Sequence, residues 1–190
     1  PATIMPAGEY LRKPSSVGKA VPGAHIKIMD ENGEELRANE VGELWIKGAM
    51  VVPGYWNNIS ANQKEFVNGF WRSGDLGKID EEGFIYILDR KKDMINRGGE
   101  KIYSIEVEGV LYGHPKILEA SVVAVPDGVF GEQVKAAIVL RPGQKLDEEE
   151  VRGWVSNKLA DYKVPKHVVF VTELPRNPGG KVIKSKVREL

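Results

Sequence analysis

Short apolar runs separated by turn pairs in the first half, and alternating strand and helix patterns after Asp93, predict an α+β protein: a β-rich segment followed by a smaller α+β module. The first half carries Ile26-Lys27-Ile28, Asn32-Gly33, Leu44-Trp45-Ile46 and Asn68-Gly69 in that order. Asn-Gly between apolar runs is a strong hairpin signal, because both central residues of a type I′ turn take positive φ. Lys78-Ile79-Asp80 and Phe84 to Leu88 flank the acidic turn Glu81-Glu82-Gly83, and that hairpin runs directly into Arg90.

After Asp93 the elements are longer. Ser104 is placed to cap a helix through Tyr112, with Glu106 and Glu108 near its positive end and His114-Pro115 closing it. Ala120 to Val125 and Val134 to Leu140 read as neighbouring strands around the turn Pro126-Asp127-Gly128. Asp147 with Glu150 three residues on forms a capping box, and Val151, Trp154, Val155 and Leu159 follow on one helical face. Val168 to Val171 is a further strand-like run. The expected organisation is a β-rich part over 1–89, a hinge at 90–93 and a second domain over 94–190.

Composition narrows the chemistry. Of the 190 residues 42% are apolar, ordinary for a globular chain, and 27 basic residues balance 27 acidic ones, so general attraction to nucleic acid or an anionic surface is not expected. There is no cysteine, which excludes disulfides, thiolate metal sites and a cysteine nucleophile. His25, His114 and His167 lie too far apart in sequence to propose a histidine metal centre, and structural or surface roles are expected for them. No apolar run approaches the about 18 residues of a transmembrane helix, no signal segment opens the chain, and a cytoplasmic location is the default. The start at Pro1 and the Pro-, Gly- and Ser-rich opening to Gly23 suggest a piece of something longer.

Four polar stretches could carry function. Asp75, in Trp71-Arg72-Ser73-Gly74-Asp75-Leu76, offers a carboxylate able to accept two hydroxyls of a vicinal diol, or merely to bond its own turn. Arg90, in Asp89-Arg90-Lys91-Lys92-Asp93, offers a guanidinium for ribose or phosphate oxygens, or a surface ion pair with Asp89 or Asp93. Lys92 stands where composition shifts. Arg97-Gly98-Gly99-Glu100-Lys101 is either a plain turn or the wall of a ligand site, and lacks phosphate-loop and dinucleotide spacing. Pro175 to Lys181 delivers Lys181 from a Pro- and Gly-rich loop, where a long cation could meet developing negative charge. Trp45, Trp56, Trp71 and Trp154 are expected as core or rim packing.

These stretches, with Ser16 to Gly23, Gly42 to Gly48 and Gly54-Tyr55-Trp56, occur in the order found in adenylate-forming enzymes, and the chain resembles the C-terminal third of an AMP-forming acyl-CoA synthetase. The resemblance implies the β-rich end of a large N-terminal domain followed by a small mobile C-terminal domain. It implies that a carboxylic acid, ATP and coenzyme A give acyl-CoA, AMP and pyrophosphate, with Mg²⁺ accompanying ATP. Asp75 would bind the ribose hydroxyls, Arg90 the same nucleotide, Lys92 would be the hinge, and Lys181 would bridge carboxylate and α-phosphate. Gly98, Gly99 and Glu100 would flank the pantetheine, with Lys101 and Lys166 toward the anionic end of coenzyme A. No metal ligand is expected within the chain.

Three departures accompany the resemblance. The family's phosphate loop and most of its acyl pocket are expected upstream of Pro1. Phe130 stands where several relatives carry arginine, and Lys92 where many carry aspartate. An adenylation domain loading a carrier protein, or a noncatalytic nucleotide-binding module, would show the same stretches.

Overall fold

In the computed structural model, which describes residues 1–190, the strands fall into separate sheets on either side of Lys92. The chain forms two units, Pro1–Lys92 and Asp93–Leu190.

The first unit holds a two-stranded ribbon, β1 (Thr3–Ile4) with β2 (Lys19–Ala20), and a five-stranded antiparallel sheet. The sheet comprises β3 (His25–Met29), β4 (Gly42–Lys47), β5 (Phe66–Val67), β6 (Phe70–Ile79) and β7 (Ile85–Arg90), with helix α1 (Ile59–Glu65) leading into β5. Its order is β3-β4-β6, β6 then pairing with both β5 and β7. Ile28, Leu44 and Ile85 form the buried centre, the side chains that period-2 alternation turns to one face.

Asn68-Gly69 is the expected tight turn, with φ of 52° and 76°, and it joins β5 to β6. Asn32-Gly33 reverses the chain so that Met29 bridges Glu35, but of the two only Gly33 takes positive φ, at 82°, so the turn is not type I′, and β4 starts later, at Gly42. The Asp30 carboxylate accepts the N–H groups of Asn32 and Glu34 at 2.9 and 2.8 Å, so a side chain organises this bend inside a longer loop. Trp45 is buried as expected, whereas Trp56 stands 92% exposed and contributes no core.

In the second unit β8 (Ile95–Arg97) and β9 (Glu100–Ile102) form a hairpin, followed by α2 (Ser104–Tyr112), β10 (Ile117–Asp127), β11 (Gly131–Leu140), α3 (Glu148–Ser156), β12 (His167–Phe170) and α4 (Lys184–Glu189). β11 pairs with β10 along its length, with β12 in parallel, and with β8 at Gly131. Its alternation is buried on both sides. Ala136 and Ile138 pack with Val107 and Leu111 of α2 and Val151 and Val155 of α3, while Ala137 and Val139 pack with Val187 of α4 and with Leu174, which precedes it. This explains why β10 and β11 read as nearly continuous apolar runs.

The capping box at α3 is present, with Glu150 N–H donating to Asp147 Oδ1 at 2.8 Å and Asp147 N–H to Glu150 Oε2 at 3.1 Å. Ser104 is not a cap. Tyr103 occupies that position, and the fully buried Ser104 hydroxyl instead accepts Lys184 Nζ at 2.5 Å, tying α4 to α2. No helix is long and apolar enough to cross a membrane.

Candidate functional site

In the first unit, the hairpin between β6 and β7 sets Asp75 directly opposite Arg90 in antiparallel register. Arg90 Nε donates to Asp75 Oδ1 at 2.7 Å; the carboxylate is largely covered, while the guanidinium is 57% exposed. The pair therefore involves neither Asp89 nor Asp93. Asp89 is buried and its Oδ1 accepts the N–H of Arg90, and Asp93 meets Arg188 within the second unit at 3.6 Å. Asp75 lies within β6 and not in a turn, and Ser73 fixes the bulge there: its Oγ accepts Asp75 N–H at 3.1 Å and donates to the Leu44 carbonyl at 2.8 Å. Burial pushes the Asp75 carboxyl up, with the Arg90 charge pulling the other way. An ionised group so placed gains from further hydrogen-bond donors, and its remaining lone pairs suit a diol.

One group that sequence reasoning did not single out stands behind this pair. Glu43, buried in β4, accepts Arg72 at 2.9 Å and Lys91 Nζ at 3.3 Å through the same oxygen. Burial acts to raise its carboxyl, but the Arg72 hydrogen bond and the Lys91 charge outweigh that and hold it below the usual range. A glutamate inside the apolar alternation of Gly42 to Ile46 was the available signal. Lys91 N–H also donates to the Gly74 carbonyl at 2.8 Å, so the chain is fastened to β6 up to the residue before Lys92. Lys92 itself is exposed in a turn.

In the second unit, Gly98 and Gly99 make the tight turn between β8 and β9, with φ of 61° and 98°. A Cβ on Gly98 would lie 3.0 Å from Phe130 Cδ1, so a side chain here would have to displace that ring slightly as well as adopt an unfavourable φ. Phe130 lies under a cation: the Arg97 guanidinium sits 4.1 Å from its ring centroid and donates to Gln133 Oε1 at 2.9 Å. Glu100 and Lys101 are exposed on β9.

Lys166 reaches the same end of the sheet, donating to Asp127 Oδ2 at 2.7 Å, while Asp127 Oδ1 accepts the N–H groups of Val129 and Phe130, both at 3.0 Å. The Lys166 hydrogen bond and those two N–H groups hold the Asp127 carboxyl well below its ordinary range. Lys166 is thus an engaged cation and Lys101 an open one.

Lys181 ends a small closed loop. Asn177 exchanges hydrogen bonds with it, N–H to the Lys181 carbonyl and Oδ1 from the Lys181 N–H, each at 2.9 Å. Its side chain is exposed and presents the ammonium group to solvent. The chain gathers no cluster of three or more His, Cys, Asp or Glu side chains able to hold a metal ion.

Comparison with known proteins follows the same division. Residues 1–56 match the family described as AMP-binding enzyme, and residues 106–181 the AMP-binding enzyme C-terminal domain. The chain is 39% identical over 187 residues to a long-chain-fatty-acid–CoA ligase of Mycobacterium tuberculosis, covering 98% of this chain and 37% of that protein. It is 42% identical to an oxalate–CoA ligase of Saccharomyces cerevisiae, covering 97% of this chain and 34% of that one. A solved o-succinylbenzoate CoA synthetase of Bacillus subtilis, in complex with its acyl-adenylate intermediate, superposes with a TM-score of 0.93 at 36% identity, covering 98% of this chain and 38% of that structure. The chain thus spans little more than a third of each of these proteins.

Proposed function

We propose that this chain, which belongs to the AMP-binding enzymes, is part of an AMP-forming acyl-CoA ligase. In the first half-reaction a carboxylate oxygen of the acid attacks the α-phosphorus of ATP, the α–β anhydride bond breaks and pyrophosphate leaves. In the second, the thiol sulfur of coenzyme A attacks the acyl carbonyl carbon, the bond from acyl carbon to phosphate oxygen breaks, AMP leaves, and the thiol proton passes to solvent.

The observation that carries this reading is the Asp75–Arg90 pair, a covered carboxylate with spare acceptor capacity beside an exposed guanidinium. Asp75 accepts the ribose hydroxyls and Arg90 binds the same nucleotide. Lys181, a mobile-tipped cation on a closed loop, stabilises charge that develops between carboxylate and α-phosphate; its contribution is positioning and neutralisation. The second unit pivots at Lys92. The Gly98-Gly99 turn, with Glu100, flanks the pantetheine arm, and Lys101 and Lys166 face the anionic end of coenzyme A, Lys166 by exchanging Asp127 for phosphate. Mg²⁺ enters with ATP.

The similar proteins are named for a long-chain fatty acid, oxalate and o-succinylbenzoate, so the carboxylic acid, fatty or related, is the open variable. The deciding experiment is AMP release by the intact enzyme across a panel of acids, with and without coenzyme A. Strict dependence on an acid and on coenzyme A is expected. AMP release that ignores coenzyme A but requires a phosphopantetheine carrier would overturn the reading in favour of a carrier-loading domain.

A further inference from the structure

The loop that carries Lys181 is fastened from one side by a residue to which the proposed reaction gives no part. Arg176 pairs through one guanidinium nitrogen with Glu119 of β10, and through the other donates to the Gly180 carbonyl at 2.7 Å. Gly180 immediately precedes Lys181, so this bond fixes the orientation of the peptide plane from which the lysine departs. Arg176 and Val182 are bridge partners, and Ile183 N–H donates to the Pro175 carbonyl at 2.8 Å, so the loop is the tip of a narrow antiparallel ladder. Beyond it, Lys184 is clasped by Ser104 and, at 3.2 Å, by Glu108 of α2.

We propose that Arg176, braced by Glu119, is a positioning residue for Lys181: it holds the loop closed so that the lysine is presented in one geometry. The chemistry favours this over a surface ion pair of no consequence. A guanidinium is planar and can bond two acceptors at once in fixed directions, and here one acceptor belongs to the rigid sheet and the other to the loop. A lone exposed ion pair contributes little to stability, so its removal should move the loop more than it moves the fold. Within the tip, from Asn177 to Lys181, the backbone is otherwise held by Asn177 from within, and Arg176 is the side chain that ties this tip to Glu119 of β10.

This proposal rests on the reading of Lys181 as the cation of the first half-reaction, and the test separates the two. In the intact enzyme, Arg176→Ala should lower kcat for ATP–pyrophosphate exchange about tenfold or more, as expected when a positioned group is set loose. KM for ATP and thioester formation from preformed acyl-adenylate should stay within about twofold, since the loop serves only the first step. Glu119→Ala, away from the loop itself, should give a smaller loss of the same kind and add nothing in the Arg176→Ala background. Glu119→Ala also keeps the test open should Arg176→Ala fail to fold. Unchanged exchange in both variants, or equal loss in both half-reactions, overturns the positioning role. Lys181→Ala run alongside reports on the underlying reading: full exchange in that variant defeats the reading of Lys181 itself.

Discussion

Arg90 Nε lies 2.7 Å from Asp75 Oδ1, and the two residues are direct cross-strand partners at the open end of the β6–β7 hairpin. Half-exposed ion pairs of this kind contribute about 0–1 kcal/mol to stability, so the pair has little to do with holding the sheet together. Its burial raises the Asp75 carboxyl, which sets the sign of a pH effect. A carboxyl raised on folding binds its proton more tightly in the folded state. Its contribution is therefore full below the unfolded value and is lost as pH rises through the folded one, leaving the ionised group a cost at neutral pH. Asp75→Asn should accordingly leave the melting temperature unchanged or slightly higher, yet weaken ATP binding about tenfold through loss of charged hydrogen bonds. Calorimetric unfolding and ATP titration of the intact enzyme check the two halves, and a large fall in melting temperature would count against the assignment.

Asp80 gives the opposite sign. Desolvation acts to raise it, but hydrogen bonds from Lys13, Phe84 N–H and Tyr86 outweigh that and hold it at about 2, against an ordinary 3.8. With the folded value depressed, the contribution is present above the unfolded value and disappears as pH falls from about 4 to about 2. Lys13 also meets Glu82 at 2.8 Å, and Arg12 meets Glu82 at 2.7 Å, so this cluster ties the opening segment to the β6–β7 hairpin. Asp80→Asn should lower the melting temperature at pH 7, by about 4–8 °C for each kcal/mol lost from a unit of this size, and flatten the acid limb below pH 4. Melting curves across that range measure both effects.

Gly98→Ala brings two penalties together, a positive φ of 61° and a Cβ 3.0 Å from Phe130. The expected cost is about 1 kcal/mol in the second unit. If the turn flanks the pantetheine arm, thioester formation should slow about tenfold while pyrophosphate exchange stays within about twofold. Parallel assays of the half-reactions decide it; loss of exchange alone would detach the turn from coenzyme A.

Much of this was legible in the residues where the local signal had no competitor. Asn68-Gly69 and the Asp147–Glu150 box behave as their patterns predict; Lys116 also reaches Glu150, but through Oε1, leaving Oε2 to accept the Asp147 N–H. Asn32-Gly33 does turn the chain back on β3, but in another turn type, because the Asp30 carboxylate accepts the N–H groups of Asn32 and Glu34, while Ser104 gives its hydroxyl to Lys184 and does not cap. The partner of Arg90 was hidden because it depends on hairpin register, which sets Asp75 opposite Arg90. Parallel pairing of β12 with β11 leaves no mark in either run, and Glu119 acquires a role only because the fold brings it to Arg176.

Lys181→Ala should abolish pyrophosphate exchange, by about a hundredfold or more, because a charge-stabilising donor is lost from the transition state. Thioester formation from preformed acyl-adenylate should persist within about threefold if the Lys181 loop serves the first half-reaction alone. Equal loss in both half-reactions would falsify the division of labour.

Lys92→Pro addresses the pivot. Lys91 is anchored by Gly74 and Glu43, and Ile95 begins the second unit's sheet, so backbone rotation between the units has only a few residues in which to occur. Proline fixes φ near −65° and restricts the preceding residue, removing the softest torsion there without touching a described side-chain contact of Lys92. Each unit should keep its own fold, seen as unchanged melting. Adenylate formation should continue, and thioester formation should slow at least about tenfold if the units change arrangement about Lys92 between half-reactions. Normal overall turnover in Lys92→Pro would place the pivot elsewhere in the chain.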